Sequence, residues 1–271
     1  MASAEWTYDG RVTSVDANAS VIGKICSLLR AAGSEEPSGA STTALARATG
    51  IARPTAHRLL ASLADQGFVD RDAATGHWSL GPEIYLLGSM AALRYDITDQ
   101  ARKIVQALAT ESGESAFLSA RRGAETVCLL RVEGSFPLRS HVLYEGIRLP
   151  LGVASAGLAI LAHLPDREVD EYLGGVDLVP EWGETHSDNA IRHRVGLTRT
   201  TGFAVNPGLL VEGSWGLGAA VFDRAGGPAW ALSLTGVETR FRDDRRRELG
   251  KLLLDAAHRL TVQLGERPSP G

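Results

Sequence analysis

Two cysteines in 271 residues exclude a disulfide framework. Cys26 lies in an apolar helical pattern and Cys128 in an apolar strand-like run, so both read as small buried hydrophobes, and the chain suits the reducing cytoplasm. No run approaches the roughly 18 unbroken apolar residues of a membrane-spanning helix, and the opening MASAEWTYDGRVTSVD has no hydrophobic signal core. The constellations of enzyme chemistry are missing as well. His186 and His193 stand seven apart with no cysteine beside them, which gives no metal-ligand spacing, and they read as surface histidines. Gly213-Ser214-Trp215-Gly216 resembles a nucleophile elbow only superficially, because Glu212 occupies the place of the elbow's first glycine. An enzyme is therefore not expected, nor a cofactor or a metal site.

The most informative absence is local. The chain carries 32 Asp and Glu against 28 Lys and Arg, net charge −4, yet no acidic residue occurs from Pro37 to Ala64. Arg47, Arg53 and Arg58 sit inside that window, and a positive field of this kind suits a phosphate backbone, although by charge alone it is equally an ordinary solvated face. The stretch from Thr42 to Leu80 decides between them: a short helix, a turn through Thr49-Gly50, a second helix, and a hairpin turning at Ala73–Gly76. Gly50 supplies the left-handed residue that ends the first helix, and Pro54 suits the first turn of the second. Leu59, Leu60 and Leu63 share one face, with Ile51, Phe68 and Val69 to cover it. This is the order of a winged helix-turn-helix, with Arg47, Arg53, Thr55, His57 and Arg58 as DNA-facing candidates and Arg71 and Thr75 placed near the backbone by the wing.

Around this element the chain divides into a flexible arm (1–17), the winged unit (18–81), a connecting helix (82–95) and a larger unit (96–267). The segment Gly33–Ser41 reads as a loose polar loop. Residues 115–120, 126–132 and 138–143 read as strands, and residues 217–222 and 230–234 as a hairpin around Asp223–Gly227. Helices are expected at 97–112, 152–164, 166–172, 190–200 and from Asp243, where an arginine cluster interleaved with Asp243, Asp244 and Glu248 reads as a solvated helix start. Helices on an antiparallel sheet make an α+β class. Ser155 is expected to cap the 152–164 helix, whose free amides and dipole make a seat for a carboxylate beside the small residues Ala154, Ala156 and Gly157.

ALARATGIARPTAHRLLASLADQGFVDRD, followed by TGHWSLGPEIYLLG, resembles the DNA-binding half of the IclR family of bacterial transcriptional regulators. The resemblance continues through GIRLPLGVASAGLAILAHLP and TGFAVNPGLLVEGSWGLGAAVFDRAGGPAWALSLTG, about residues 20 to 265 in all. It implies a GAF-like α+β effector-binding domain and a pocket marked by Leu138, Ser155, Ala156, Asn206, Ser214, Gly216, Ser233 and Thr235. Asn206 stands where the family can have an acid and Gly216 where it can have a larger side chain, which implies a roomier pocket. Pro54, where a small hydroxyl residue is commoner, and the long 33–41 segment depart from the family pattern. The implied function is a ligand-responsive regulator, repressor before activator, of a catabolic or metabolic operon. It would work as a homodimer or dimer of dimers, with a double-stranded DNA operator and a small carboxylic or aromatic acid as partners. The alternative is a metabolite-binding protein or enzyme whose winged element serves assembly only.

Overall fold

The computed structural model describes residues 20–92, 97–137 and 142–265; the expected arm, the end of the connecting helix and Leu138 lie outside the described residues. The chain divides into two compact units, Met1–Tyr95 and Asp96–Gly271.

The first unit runs α1 (Val21–Ser34), α2 (Thr42–Thr49), α3 (Arg53–Asp65), β1 (Val69–Arg71), β2 (Trp78–Leu80) and α4 (Pro82–Ala92). Ser20 caps α1 by accepting from the Gly23 amide at 2.9 Å, and Ser41 caps α2 by accepting from Ala44 at 3.2 Å. Gly50 ends α2 at φ +67°, and Pro54 falls in the first turn of α3. The leucine face closes as the pattern requires: Leu60, Leu63, Ile51 and Val69 are buried with Leu28 and Leu45, and Leu59 and Phe68 pack against them. Asp72 builds the wing turn, its Oδ1 accepting from the Ala74 amide at 3.0 Å and the Thr75 amide at 2.6 Å.

The segment from Gly33 to Ser41 is not loose. Ala40 exchanges both backbone hydrogen bonds with Trp78 at 2.9 Å, and the Glu36 carboxylate accepts from the Leu80 amide at 2.7 Å. Backbone pairing needs no apolar alternation, so a polar stretch can bridge to the wing at one residue pair, Ala40 and Trp78. Gly39 sits at φ +63°, where an added Cβ would come within 2.8 Å of the Trp78 carbonyl oxygen. Trp78 itself is buried, and its indole N–H donates to the Thr42 hydroxyl at 2.8 Å, tying the wing to the start of α2. Trp78→Phe is expected to cost about 1–3 kcal/mol, from the lost donor and the void left behind. A urea titration of the full chain reads this as a lower first midpoint; an unmoved midpoint would contradict it.

The second unit contains α5 (Ile97–Ser112), β3 (Ser115–Arg122), β4 (Glu125–Val132), β5 (Arg148–Pro150), α6 (Ser155–Ala162), α7 (Asp166–Gly175), α8 (Val179–Trp182), α9 (Asp188–Thr201), β6 (Ala204–Pro207), β7 (Ser214–Phe222), β8 (Pro228–Val237) and α10 (Asp243–Gly265). The strands form one antiparallel sheet in the order β5-β4-β3-β8-β7-β6. α5 and α10 bury one face through Val105, Leu108, Leu249, Leu253 and Leu260 against Leu118, Leu217, Leu232 and Leu234. α6 packs against β7 and β8, with α9 against it in turn.

Most of the strand expected at 138–143 lies outside the described residues; Val142 and Leu143 are not in a strand, and β4 pairs with β3 on one side and Arg148–Pro150 on the other. Three local expectations need correction. α6 starts at Ser155, because the chain is still turning at Gly152 (φ +88°); its N-cap is Ala154, and no side chain caps it. The arginine cluster before α10 is only partly solvated. Glu114 is 2% exposed, and Arg240 and Arg245 reach its Oε1 at 2.5 and 3.5 Å, while Arg246 and Arg247 make the surface pairs with Asp243 and Asp244. His186 is likewise buried, not on the surface: its Nδ1 lies 2.9 Å from the Trp182 carbonyl oxygen, and burial holds its pKa below the usual imidazole value. His193 is exposed.

Candidate nucleic-acid interface and sensor cleft

α3 turns its leucines inward, which leaves Arg53, His57 and Arg58 exposed, with Thr55 half-buried and Arg47 exposed on the last turn of α2. No side chain caps the first turn of α3 and no acid occupies it, so the positive end of its dipole stays open to an anion. The Arg53 Nε donates to the Thr43 hydroxyl at 3.2 Å. On the wing, Arg71 lies over the Trp78 ring at 5.3 Å, and His57 meets the same ring edge-on at 6.1 Å. One buried indole therefore underlies a side chain from the helix and one from the wing. Thr75 differs from the other candidates: its hydroxyl donates to Asp72 at 2.7 Å and accepts from the His77 amide at 3.2 Å, so it shapes the wing turn. Those turn hydrogen bonds, chiefly from the Thr75 backbone, hold the Asp72 carboxyl below its usual pKa.

In the second unit α6 is buried along its whole length. Its last carbonyls are met by Arg199, whose Nε donates to Ala162 O at 2.8 Å and whose Nη2 donates to Leu164 O at 3.1 Å. Its first turn rests on β7 at two glycines. A Cβ on Gly218 would lie 2.3 Å from Ser155 O, and one on Gly216 would lie 3.0 Å from Ser155 Oγ. Room at Gly216 is thus taken up by the Ser155 hydroxyl.

A small cleft opens at this helix start; its cavity volume of about 20 Å³ holds little more than a water molecule, far below the roughly 300 Å³ of ordinary small-molecule sites. Ser155, Asn206, Ser214, Gly216 and Thr235 come together in its lining, with Leu143, Leu210 and Trp215 among the apolar walls. Ala156 and Ser233 are buried beside it but do not line it. Asn206 has both ends of its amide engaged, donating to Val153 O at 2.8 Å and accepting from the Leu209 amide at 2.9 Å, so it braces the wall. Thr235 is 7% exposed and its hydroxyl has no hydrogen-bond partner among the described residues. Among the described residues no cationic side chain lines the cleft. Trp215 escaped the sequence reading because β7 begins at Ser214, three residues before the apolar run that marked the strand.

An exposed recognition helix free of acids until its last residue, with a wing, followed in the chain by a sheet-and-helix unit that holds a cleft, defines a DNA-binding transcriptional regulator. Residues 28–73 match the family described as the IclR helix-turn-helix domain, and residues 90–262 match the bacterial transcriptional regulator IclR C-terminal family. The chain belongs to the IclR family. The HTH-type transcriptional regulator KipR of Bacillus subtilis is 29% identical over 218 residues, covering 80% of this chain and 86% of that protein. The transcriptional repressor IclR of Escherichia coli is 28% identical over 237 residues, 85% of each. An IclR homolog from Microbacterium hydrocarbonoxydans, complexed with 4-hydroxybenzoate, shares the fold at a TM-score of 0.71 and 21% identity, covering 90% of this chain and 99% of that one. These relatives are named as regulators, not as enzymes. Among the described residues no helix is long and apolar enough to cross a membrane.

Proposed function

We propose that the chain is a repressor that binds its operator as a homodimer and lets go when a small carboxylic or aromatic acid enters the cleft at the start of α6. The observation that carries the reading is the buried Thr235 hydroxyl, which has no partner among the described residues and belongs to a cleft floored by an uncapped helix N-terminus. A buried hydroxyl left unpaired costs about 1–3 kcal/mol, and a ligand oxygen removes that cost. With no cationic side chain in the lining among the described residues, the amides and dipole of α6 are what would meet a carboxylate, and Trp215, Leu143 and Leu210 suit its apolar or aromatic remainder.

Two relatives support both halves: one is a repressor, and one holds an aromatic acid. Pairing is supported by apolar side chains left exposed within the first unit, Val21 and Ile22 on α1 and Tyr85 and Met90 on α4. A single recognition helix reads too few bases for genomic specificity, which two copies on a pseudo-palindrome remedy.

Thermal shift against a panel of aliphatic and aromatic carboxylates tests the cleft, because a ligand that binds only the folded chain raises its midpoint. Thr235→Val removes the unpaired hydroxyl at nearly constant volume. It is expected to leave stability unchanged or raised by about 1 kcal/mol and to weaken the effector about tenfold. Ser155→Leu, which overfills the cleft, abolishes the response and, in the fraction that stays folded, leaves operator affinity intact. A Ser155→Leu chain that still shifts normally would place the effector elsewhere.

A further inference from the structure

We infer that Arg53 is the base-reading arginine of the recognition helix, directed at a guanine, and that Thr43 is the positioning residue that directs it. The inference rests on the assignment of α3 to the major groove. Arg53 is the first residue of α3 and Thr43 the second of α2, both exposed, and the Arg53 Nε donates to the Thr43 hydroxyl at 3.2 Å across the turn between the helices. Anchoring at Nε fixes the plane of the guanidinium and leaves its two terminal amino groups as the outward donors. A fixed, planar, paired donor set matches the N7 and O6 acceptors that guanine presents in the major groove, and it matches no other base.

The other arginines of the window differ from it. Arg47 and Arg58 are exposed, and the described residues give neither a hydrogen bond nor an ion pair. Free to swing, they suit phosphates, which demand charge and tolerate imprecise direction. No acid from Pro37 to Ala64 competes for the Arg53 guanidinium, so the threonine hydroxyl alone sets its direction without neutralising it. Holding the side chain in place before contact also spares rotamer freedom that would otherwise be lost on binding.

The test uses the full chain and the operator duplex located by footprinting the wild type. Affinity is measured by fluorescence anisotropy on that duplex and on copies in which single guanines are replaced by 7-deazaguanine, which lacks the N7 acceptor. Wild type is expected to lose about tenfold at one guanine per half-site. Arg53→Ala erases that preference. Thr43→Val cuts it to about threefold, Thr43→Ser keeps it, and Thr43→Val adds nothing in the Arg53→Ala background. Arg47→Ala and Arg58→Ala each lower the slope of log affinity on log salt by about two, one phosphate contact from each copy of the proposed dimer, and leave the guanine preference alone.

The proposal is overturned if Thr43→Val leaves the preference whole, if its effect persists without Arg53, or if Arg53→Ala changes only the salt slope. A wild-type chain that binds its duplex no better than random DNA would instead overturn the sequence-specific reading on which the proposal rests.

Discussion

A chain carrying Arg53→Ala and Arg58→Ala together is expected to lose at least about 10³-fold in operator affinity near physiological salt while its thermal midpoint stays within a degree or two. The two halves follow from different physics. Neither arginine takes part in the leucine-lined core, and alanine is a good helix former, so exposed substitutions of this kind stay within about 0.5 kcal/mol of wild type. On DNA, a lost bidentate base contact is worth about 1–3 kcal/mol and a lost phosphate contact removes its share of counterion release. In the proposed homodimer on a two-fold site, each loss counts twice. Anisotropy titrations at three salt concentrations, with a melting curve of the same sample, check both halves. Binding that survives the double change would mean that α3 is not the reading helix, and a collapse of the midpoint would mean that the arginines hold the fold.

The winged unit was legible because its signals are local. Gly50 and Pro54 punctuate the helices, the leucines share a face over a single turn, and the missing acids are missing from one window. What the sequence concealed depends on distance or on backbone. The 33–41 segment joins the wing through main-chain pairing, which leaves no mark in side-chain type. Glu114 is neutralised by Arg240 and Arg245, 126 and 131 residues away, so their alternation with Asp243 and Asp244 looked like a solvated face. The second partner of β4 left no apolar signature, because it is three residues long and carries a proline. In the cleft, the family pattern brought Ser155, Ser214 and Thr235 to one place, yet it could not show that Asn206 spends both ends of its amide on the backbone. Nor could it show that Ser155 stands inside the helix and leaves the cap to Ala154, since the cap is set by backbone dihedrals.

Gly218→Ala is expected to destabilise the second unit by about 3 kcal/mol or more, above the usual 1–3 kcal/mol of overpacking. The residue lies in the middle of β7 at an ordinary strand conformation, paired with Ser233, so alanine there meets no backbone strain of its own. The obstacle is what stands above it. The new Cβ would lie 2.3 Å from Ser155 O and 2.9 Å from the Ala156 amide nitrogen, main-chain atoms of a helix start that cannot rotate aside. α6 is held at its far end by Arg199 and along its length by α9, so it cannot lift from the sheet without breaking those ties. Gly216→Ala is the internal control: its Cβ would meet the Ser155 hydroxyl at 3.0 Å, and a side-chain oxygen can turn away, so the cost should stay below about 1.5 kcal/mol. Urea unfolding of the two full-length variants gives the comparison directly, and equal costs would mean that α6 is not seated on the glycines of β7. Because the same seat forms the floor of the cleft, the Gly218→Ala chain should also lose its carboxylate-induced thermal shift under conditions where it remains folded, whereas the Gly216→Ala chain keeps a measurable one.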